Sequence, residues 1–175
     1  ILKIANSLKN INESGIKAKL YLYTANKITD KIKSELERTT SVEIIGKVPY
    51  EAIPGILASS DVLLHVESFE KQHMLSTSLS FSTKLVDYFE AAKPIFAMGW
   101  EKAASIKYLK DNEIGIVVDN DGELYNALEK LINNYNLSAS IGEKAWEFGQ
   151  KHHNKNEFLL NFESELKRMI SGAIN

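Results

Sequence analysis

The stretch SLSFSTKLVDYFEAAKPIFAMG, residues 78–99, joins a helical pattern directly to the pattern of a buried strand. Four of its apolar residues recur at the spacing of one helix face: Leu85, Tyr88, Phe89 and Ala92. Pro94 then ends the helix, and the uninterrupted apolar run Ile95–Met98 follows at once. A strand without polar alternation is buried on both faces, which is typical of a parallel sheet between helices.

Other parts of the chain repeat this arrangement. Apolar runs bounded by turn residues predict further strands at 18–24, 42–45, 62–66 and 114–118. Helical spacing returns between the runs, for example after a Thr29 cap and after Asp121. Strand and helix alternate with short connections, which predicts an α/β fold with a doubly wound parallel sheet.

The C-terminal part of the chain predicts helices only, at roughly 138–149 and 156–171. Four apolar residues of the second helix are spaced four apart: Phe158, Phe162, Leu166 and Ile170. An apolar stripe of this kind needs a partner surface. We expect it to cover one flank of this domain or to reach a partner domain.

Composition limits the class of protein. With 175 residues, of which 44% are hydrophobic and 25% charged, the chain predicts a single globular domain. Its 21 basic and 23 acidic residues give a charge of -2 without a long basic run, and a solvated turn between helices explains the basic cluster at 151–155, so we expect no nucleic-acid partner. The chain has no cysteine, and we identify no membrane-spanning run and no signal peptide. Because it begins in a helical pattern at Ile1, we expect it to be a piece of a longer protein.

One connection is much longer than the others. About sixteen residues, ESFEKQHMLSTSLSFS, separate the strand ending at Val66 from the helix beginning near Thr83, where two to six are usual. A loop that follows a strand of an open parallel sheet lies at the carboxyl edge, where ligands of this architecture bind. The sequence therefore predicts a ligand site at this loop.

The helix after the long loop begins with small hydroxyl residues. Ser82 or Thr83 caps the first turn, or the unpaired amides of that turn bind an anion, with Lys84 adding positive charge. Asp87 follows Thr83 by four residues and shares its face, so it would repel a bare phosphate. It could instead accept the ribose hydroxyls of a nucleoside diphosphate, or it simply favours the helix dipole or pairs with a lysine. The residues leave these interpretations open.

Three segments of the chain resemble a known family. STKLVDYFEAAKPIFAMG is similar to the P-S-K-L-x-E-Y-L-A-x-G-K-P-V-I-A-x-G segment in the C-terminal, donor-binding domain of GT-B glycosyltransferases, above all the retaining type that builds bacterial surface polysaccharides. VEIIGKVPYEAIPGILASSDVLLHVES and SIKYLKDNEIGIVVDNDGELYNALEKLI resemble neighbouring segments of that domain. The resemblance implies that residues 1–175 form one Rossmann-like nucleotide-sugar-binding domain, lacking both the N-terminal acceptor domain and its own first strand.

The resemblance also implies roles for particular residues. Ser82, Thr83 and Lys84 would hold the diphosphate, and Asp87 would bind the ribose. The nucleobase would rest on a loop formed by Lys47, Val48 and Tyr50. For the tyrosine, stacking on the base and simple exposure in a turn both remain open.

A sugar pocket is implied less directly. The candidate residues are His65, Glu67, Glu70, Trp100 and Glu101, while a structural role for the histidine and plain packing of the tryptophan stay open. A glutamate that contacts the donor sugar in many relatives is replaced here by Leu79, so the contact is missing or comes from Glu67 or Glu70. Ala92 also replaces a glycine that stops the helix in the left-handed conformation, so we expect a different turn before Pro94.

The function implied is hexosyl transfer from a nucleoside-diphosphate sugar to a glycan or lipid-linked acceptor. No metal or other cofactor is expected, and the residues identify no catalytic group. The acceptor would bind the missing domain, so the isolated chain is expected to be inactive. The resemblance implies a bacterial, cytoplasmic protein that associates peripherally with the inner face of the membrane. Two alternatives remain: a nucleotide-sugar epimerase of GT-B architecture and a non-catalytic, flavodoxin-like interaction module.

Overall fold

The structure is a computed structural model that describes residues 1–13, 15 and 17–172. Its strands are β1 (Leu20–Tyr23), β2 (Val42–Gly46), β3 (Leu63–Val66), β4 (Ile95–Met98) and β5 (Ile116–Val118). Each run that predicts a strand therefore forms one, with slightly different ends.

Helices connect and flank these strands. They are α1 (Leu2–Ile11), α2 (Asp30–Glu37), α3 (Ile53–Ser59), α4 (Lys71–Leu79), α5 (Lys84–Glu90), α6 (Ala104–Asp111), α7 (Asp121–Asn133), α8 (Tyr135–His152) and α9 (Lys155–Gly172). The predicted cap of α2 is confirmed, because the Ile32 amide donates to the Thr29 hydroxyl at 3.4 Å. Asn120 caps α7, where its side-chain oxygen accepts from the Glu123 amide at 3.2 Å.

All strand pairs are parallel, as the alternation of elements predicts, and the α/β fold class is confirmed. The described strands nevertheless form two sheets, one with the order β1-β2 and one with the order β3-β4-β5. Within the described part of the chain, no strand pairs with the outer edge of β1 or of β3. A cleft lies between these two edges.

Strand β4 is the centre of the core, and its four residues are all buried. Phe96 and Met98 pack in one apolar cluster with residues of α1 and α7. Ile95 and Ala97 pack on the opposite face with residues of α5, α6 and α8. The larger sheet is therefore covered by helices on both faces, which is why its strands carry no polar alternation.

Helix α4 occupies the connection that the sequence indicates to be a long loop. The prediction of a loop is wrong for Lys71–Leu79, although the segment lies at the expected edge of the sheet. Leu75 and Leu79 are 74% and 82% exposed, so α4 has no apolar face that a periodicity argument could detect.

Helix α9 forms close to its predicted bounds, but its apolar stripe does not cover a flank of the described domain. The exposed residues are Phe158, Leu159, Leu160, Phe162, Leu166, Met169 and Ile170. The stripe was expected to cover a flank of this domain or to reach a partner domain, and only the second expectation remains.

The turn after α5 has the left-handed conformation that a glycine usually adopts at the end of a helix, although alanine occupies the position. Ala92 has φ 53, in the left-handed region, so the expected departure in the turn before Pro94 is not observed. Helix α8 packs closely over this turn: a Cβ built on Gly142 would lie 2.7 Å from the Ala92 carbonyl oxygen. Position 142 therefore accommodates only a residue without a side chain.

Candidate functional site

A large cleft of about 2320 Å³ separates the two sheets. The predicted diphosphate, ribose and nucleobase residues on its wall are Lys47, Val48, Tyr50, Thr83, Lys84 and Asp87. The first three follow β2 of the smaller sheet, and the other three begin α5 beside the larger sheet. The structure thus brings together residues that lie far apart in sequence, at the carboxyl ends of parallel strands.

The start of α5 does not use its hydroxyls as a cap. Thr83 occupies the N-cap position with helical φ -62 and ψ -22, and its side chain caps no amide. The Leu85 and Val86 amides donate to the carbonyls of Ser82 and Thr83, each at 3.1 Å. Of the two interpretations of this segment, the local side-chain cap is therefore not realised at Thr83.

Two backbone amides stay available at this turn. Among the described residues, no backbone carbonyl accepts a hydrogen bond from the Thr83 or Lys84 amide. The Ser82 amide, by contrast, donates to the buried Ser105 hydroxyl at 2.9 Å, which fixes the turn against α6. Thr83 and Lys84 are both exposed on the cleft, so donors and a positive charge face the same space.

Asp87 lies one turn further along the same wall and is partly buried. The next residue holds this wall in place, because the Tyr88 hydroxyl donates to the Leu64 carbonyl of β3 at 3.1 Å. Burial, and to a lesser extent the charge of Asp87, raise the pKa of Tyr88. Tyr88 therefore stays protonated as a donor.

The loop after β2 forms the opposite wall. It leaves the strand at Gly46, whose φ of 88 is a left-handed conformation that favours glycine. Tyr50 then begins a short 3₁₀ turn and is 74% exposed. Both interpretations of Tyr50 fit this position, since an exposed ring on a cleft wall is also a surface on which a planar group can stack.

A second, smaller pocket of about 270 Å³ lies beside the start of α5. Its lining residues are Glu67, Ser76, Thr77, Ser80 and Ser82. Four hydroxyls and one carboxylate therefore surround a space that adjoins the predicted diphosphate turn through Ser82.

His65 is buried next to this pocket and is 2% exposed. Its Nε2 lies 3.2 Å from Oε1 of Glu67, but the contact lacks hydrogen-bond geometry, and both ring nitrogens are without a partner among the described residues. Burial, and secondarily the charge of Lys84, lower the pKa of His65 to about 4. Burial also raises the pKa of Glu67, while Lys84 acts in the opposite direction. His65 is therefore a neutral ring at physiological pH.

The other proposed sugar-pocket residues are not brought to this place. Glu70, Trp100 and Glu101 line neither the cleft nor the small pocket. His73 is exposed on α4, with Nε2 3.5 Å from Oε2 of Glu70. These side chains therefore do not contribute to the wall of the cleft or of the small pocket.

Several pocket residues were missed at the sequence level. Ser76, Thr77 and Ser80 lie on or just after α4, which the sequence indicates to be a loop. Gly99 was missed as well: a Cβ on it would lie 2.7 Å from the Glu67 Cβ, so its small size makes room for Glu67. A hydroxyl-rich run before a helix was the available signal, but it does not show which hydroxyls share one pocket.

Two further findings concern the described residues only. Residues 1–13, 15 and 17–172 contain no group of three or more His, Cys, Asp or Glu that could hold a metal ion. No helix in the same part of the chain combines the length and the apolar character needed to cross a membrane.

Solved structures of glycosyltransferases share the fold. WaaG, a glycosyltransferase involved in lipopolysaccharide biosynthesis, matches 85% of this chain with a TM-score of 0.66 and 17% identity. Alr3699/HepE of Anabaena, in complex with UDP-glucose, matches 97% with a TM-score of 0.69 and 15% identity. The same protein in complex with UDP and glucose matches 97% with a TM-score of 0.68 and 14% identity. The implied fold is confirmed.

The chain spans 38% of the WaaG chain and 44% of the HepE chain. No protein-family model and no curated protein sequence matches it. At these identities the likeness establishes the fold alone.

Proposed function

We propose that this chain binds a nucleoside-diphosphate sugar and is the donor-binding domain of a glycosyltransferase. One observation carries the proposal: Lys84, Asp87 and Tyr50 line one cleft at the carboxyl edge of the sheets, with the two sides facing each other from separate sheets. The fold shared with structures of HepE that hold UDP-glucose or UDP and glucose supports the choice of ligand.

In this proposal the diphosphate binds at the turn before α5. The amides of Thr83 and Lys84 donate to its oxygens, and the Lys84 ammonium supplies charge. Helix α5 has seven residues, so its dipole is short and the anion depends on direct contacts more than on the helix as a whole. Asp87, one turn away, accepts hydrogen bonds from the ribose hydroxyls.

Transfer itself breaks the bond between the anomeric carbon and the β-phosphate oxygen. The bonding electrons leave on that oxygen, where Lys84 and the nearby amides stabilise the charge that develops. The acceptor hydroxyl forms the new bond and loses its proton to a base outside the described residues. We place the acceptor, a glycan or a lipid-linked sugar, on a separate domain, so the isolated chain is expected to bind the donor without turnover.

Titration calorimetry with UDP, GDP and ADP tests this function. One of the three is expected to bind wild-type protein, and Asp87→Asn is expected to weaken this binding by about 10- to 150-fold, since one lost charged hydrogen bond costs roughly 1.5–3 kcal/mol. The 2′-deoxy form of the same nucleotide sharpens the assignment, because it should bind more weakly to wild type but no more weakly to Asp87→Asn.

Asp111→Asn serves as the matched control, since Asp111 is an exposed carboxylate on α6 paired with Lys107. Binding of none of the three nucleotides would remove the function. Equal loss in the control and in Asp87→Asn would remove the role of Asp87.

Two other functions remain as alternatives. A nucleotide-sugar epimerase of the same architecture would convert the donor without any acceptor, which incubation with donor alone of a protein that joins this chain to an acceptor domain would detect. A non-catalytic interaction module would bind no nucleotide in the calorimeter. The exposed, charged turn at Thr83 and Lys84 favours the transferase over this second alternative.

A further inference from the structure

Ser105 is a fully buried polar residue in the first turn of α6. A buried hydroxyl is rarely kept without a hydrogen-bond partner. The partner here is the Ser82 amide, which donates to the Ser105 oxygen at 2.9 Å and lies 23 residues away in sequence. The Ser105 side chain therefore ties α6 to the segment that leads into α5.

A second contact docks the same segment on α6. The Phe81 ring packs edge-on against Tyr108, with the ring centroids 5.0 Å apart. Tyr108 follows Ser105 by three residues, so both contacts lie on one face of α6. An edge-on ring contact tolerates small rotations, whereas a hydrogen bond is directional. Ser105 therefore fixes the orientation of the backbone at Ser82.

The orientation of Ser82 determines where the next two amides point. In a planar trans peptide, the carbonyl of one residue and the amide of the next point in opposite directions. The Leu85 amide donates to the Ser82 carbonyl at 3.1 Å, and the next amide donates to the Thr83 carbonyl at the same distance. The Thr83 and Lys84 amides therefore point out of the first turn of α5, where both residues are exposed on the cleft.

We propose that Ser105 is a positioning residue for donor binding: by holding the Ser82 amide, it aligns the two following amides with the diphosphate of the donor. The inference rests on the proposed function, which places the diphosphate at this turn. Ser105 lines neither the cleft nor the small pocket, so it acts through Ser82 without touching the ligand. The Ser82 amide, in turn, anchors the site and is not one of its anion donors.

Substitution of Ser105 tests the inference on the phosphate part of the ligand. Titration calorimetry measures whichever of UDP, GDP and ADP binds best, and competition against it measures the matching nucleoside, which lacks the phosphates. Ser105→Ala is expected to weaken diphosphate binding by about tenfold, because two hydrogen bonds to a charged group are misaligned but not removed. The affinity for the nucleoside should keep its wild-type value.

Ser105→Cys separates hydrogen bonding from packing. Sulfur is a weak acceptor, so the affinity of this variant for the diphosphate should fall between those of wild type and Ser105→Ala. An effect of side-chain volume would give another order. Serine and alanine are nearly equal in volume, so cysteine would then depart furthest from wild type.

Ser41→Ala is the matched control for stability. Ser41 is also a fully buried serine, and its oxygen accepts from the side-chain amide of Asn12 at 3.0 Å. It lies outside the cleft lining. Ser41→Ala should lower the melting temperature, as Ser105→Ala does, but it should keep the wild-type affinity for the diphosphate.

The outcomes distinguish the two proposals. If the nucleoside diphosphate binds wild type and Ser105→Ala equally well, the positioning role is overturned and the donor-binding function stands. The role is also overturned if Ser105→Ala weakens the nucleoside as much as the diphosphate, if Ser41→Ala weakens the diphosphate equally, or if Ser105→Cys binds it more weakly than Ser105→Ala. If none of the three nucleotides binds wild type, both proposals fail.

Discussion

Gly142 of α8 lies so close to the carbonyl oxygen of Ala92 that a Cβ at position 142 would come within 2.7 Å of it. The same Cβ would lie 3.2 Å from backbone atoms of Lys93 and Pro94. Helix α8 therefore packs directly on the turn that ends α5 and begins β4. The position of α5, and with it Lys84 and Asp87, depends on this contact.

Gly142→Ala is expected to destabilise the protein, because the methyl group meets backbone atoms that cannot rotate away. The expected loss is about 1–3 kcal/mol, measured as a lower midpoint in urea unfolding. Gly55→Ala is the control: nothing lies within 4 Å of its Cβ, and alanine favours helix α3, so its midpoint should not fall. Equal midpoints for Gly142→Ala and wild type would contradict the close packing.

Ala92→Gly is expected to stabilise the protein. An alanine in the left-handed conformation destabilises the folded state by about 1–2 kcal/mol. Glycine removes this strain, but its greater conformational entropy in the unfolded chain offsets roughly 0.5–1 kcal/mol of the gain. The net gain should be up to about 1.5 kcal/mol. Ala91→Gly provides the comparison, since φ is -73 there, and it should destabilise. A lower melting temperature for Ala92→Gly than for wild type would show that the strain is absent.

His65 is expected to make the protein less stable in mild acid. Its pKa is about 4 when folded and about 6.5 when unfolded, so between these values the unfolded chain binds more protons. Stability is therefore full above about pH 6.5 and falls as the pH drops toward 4, by about 3 kcal/mol at the limit.

The raised pKa of Glu67 acts in the opposite direction and offsets part of this loss. The comparison of wild type with His65→Leu isolates the histidine, because the variant lacks the titrating ring. Urea unfolding at pH 7 and at pH 4.5 should show a smaller difference for the variant. The same difference in both proteins would mean that His65 is not held neutral.

Helix α9 is expected to exchange its amide hydrogens much faster than α8. Its described side chains are exposed, and most of the stability of a helix in a protein comes from packing of its apolar face. Hydrogen exchange read by mass spectrometry should give low protection for 157–170 and high protection around Ala145. Strong protection of α9 in the isolated chain would mean that its apolar stripe has found a partner, for example a second copy.

The sequence predicted the strands well, because buried parallel strands carry continuous apolar runs such as Ile95–Met98. It failed at α4, whose residues have neither an apolar face nor a side-chain cap. That helix is held instead by its place between β3 and α5 and by packing on α6, which are tertiary effects.

The candidate site was predictable only in part. Thr83, Lys84 and Asp87 follow from local spacing, so their shared wall could be anticipated. The contact between His65 and Glu67 was not predicted, although residues i and i+2 of a strand share one face, because the sequence does not show that the extended backbone of β3 continues past Val66 to Glu67. The fit of Gly99 against Glu67 is likewise visible only when β3 and β4 lie side by side.

The separation of the two sheets has a consequence for the cleft. No ladder of backbone hydrogen bonds joins β1 to β3 within the described residues, while α1 and α7 pack against each other in the same apolar cluster. The width of the cleft, and thus the distance between Tyr50 and Lys84, therefore depends on hydrophobic contacts, which weaken on cooling. The backbone hydrogen bonds within each sheet fix the strand register independently of these contacts. The affinity for a ligand that spans the cleft should therefore change more steeply with temperature than the stability of strand pairing within each sheet.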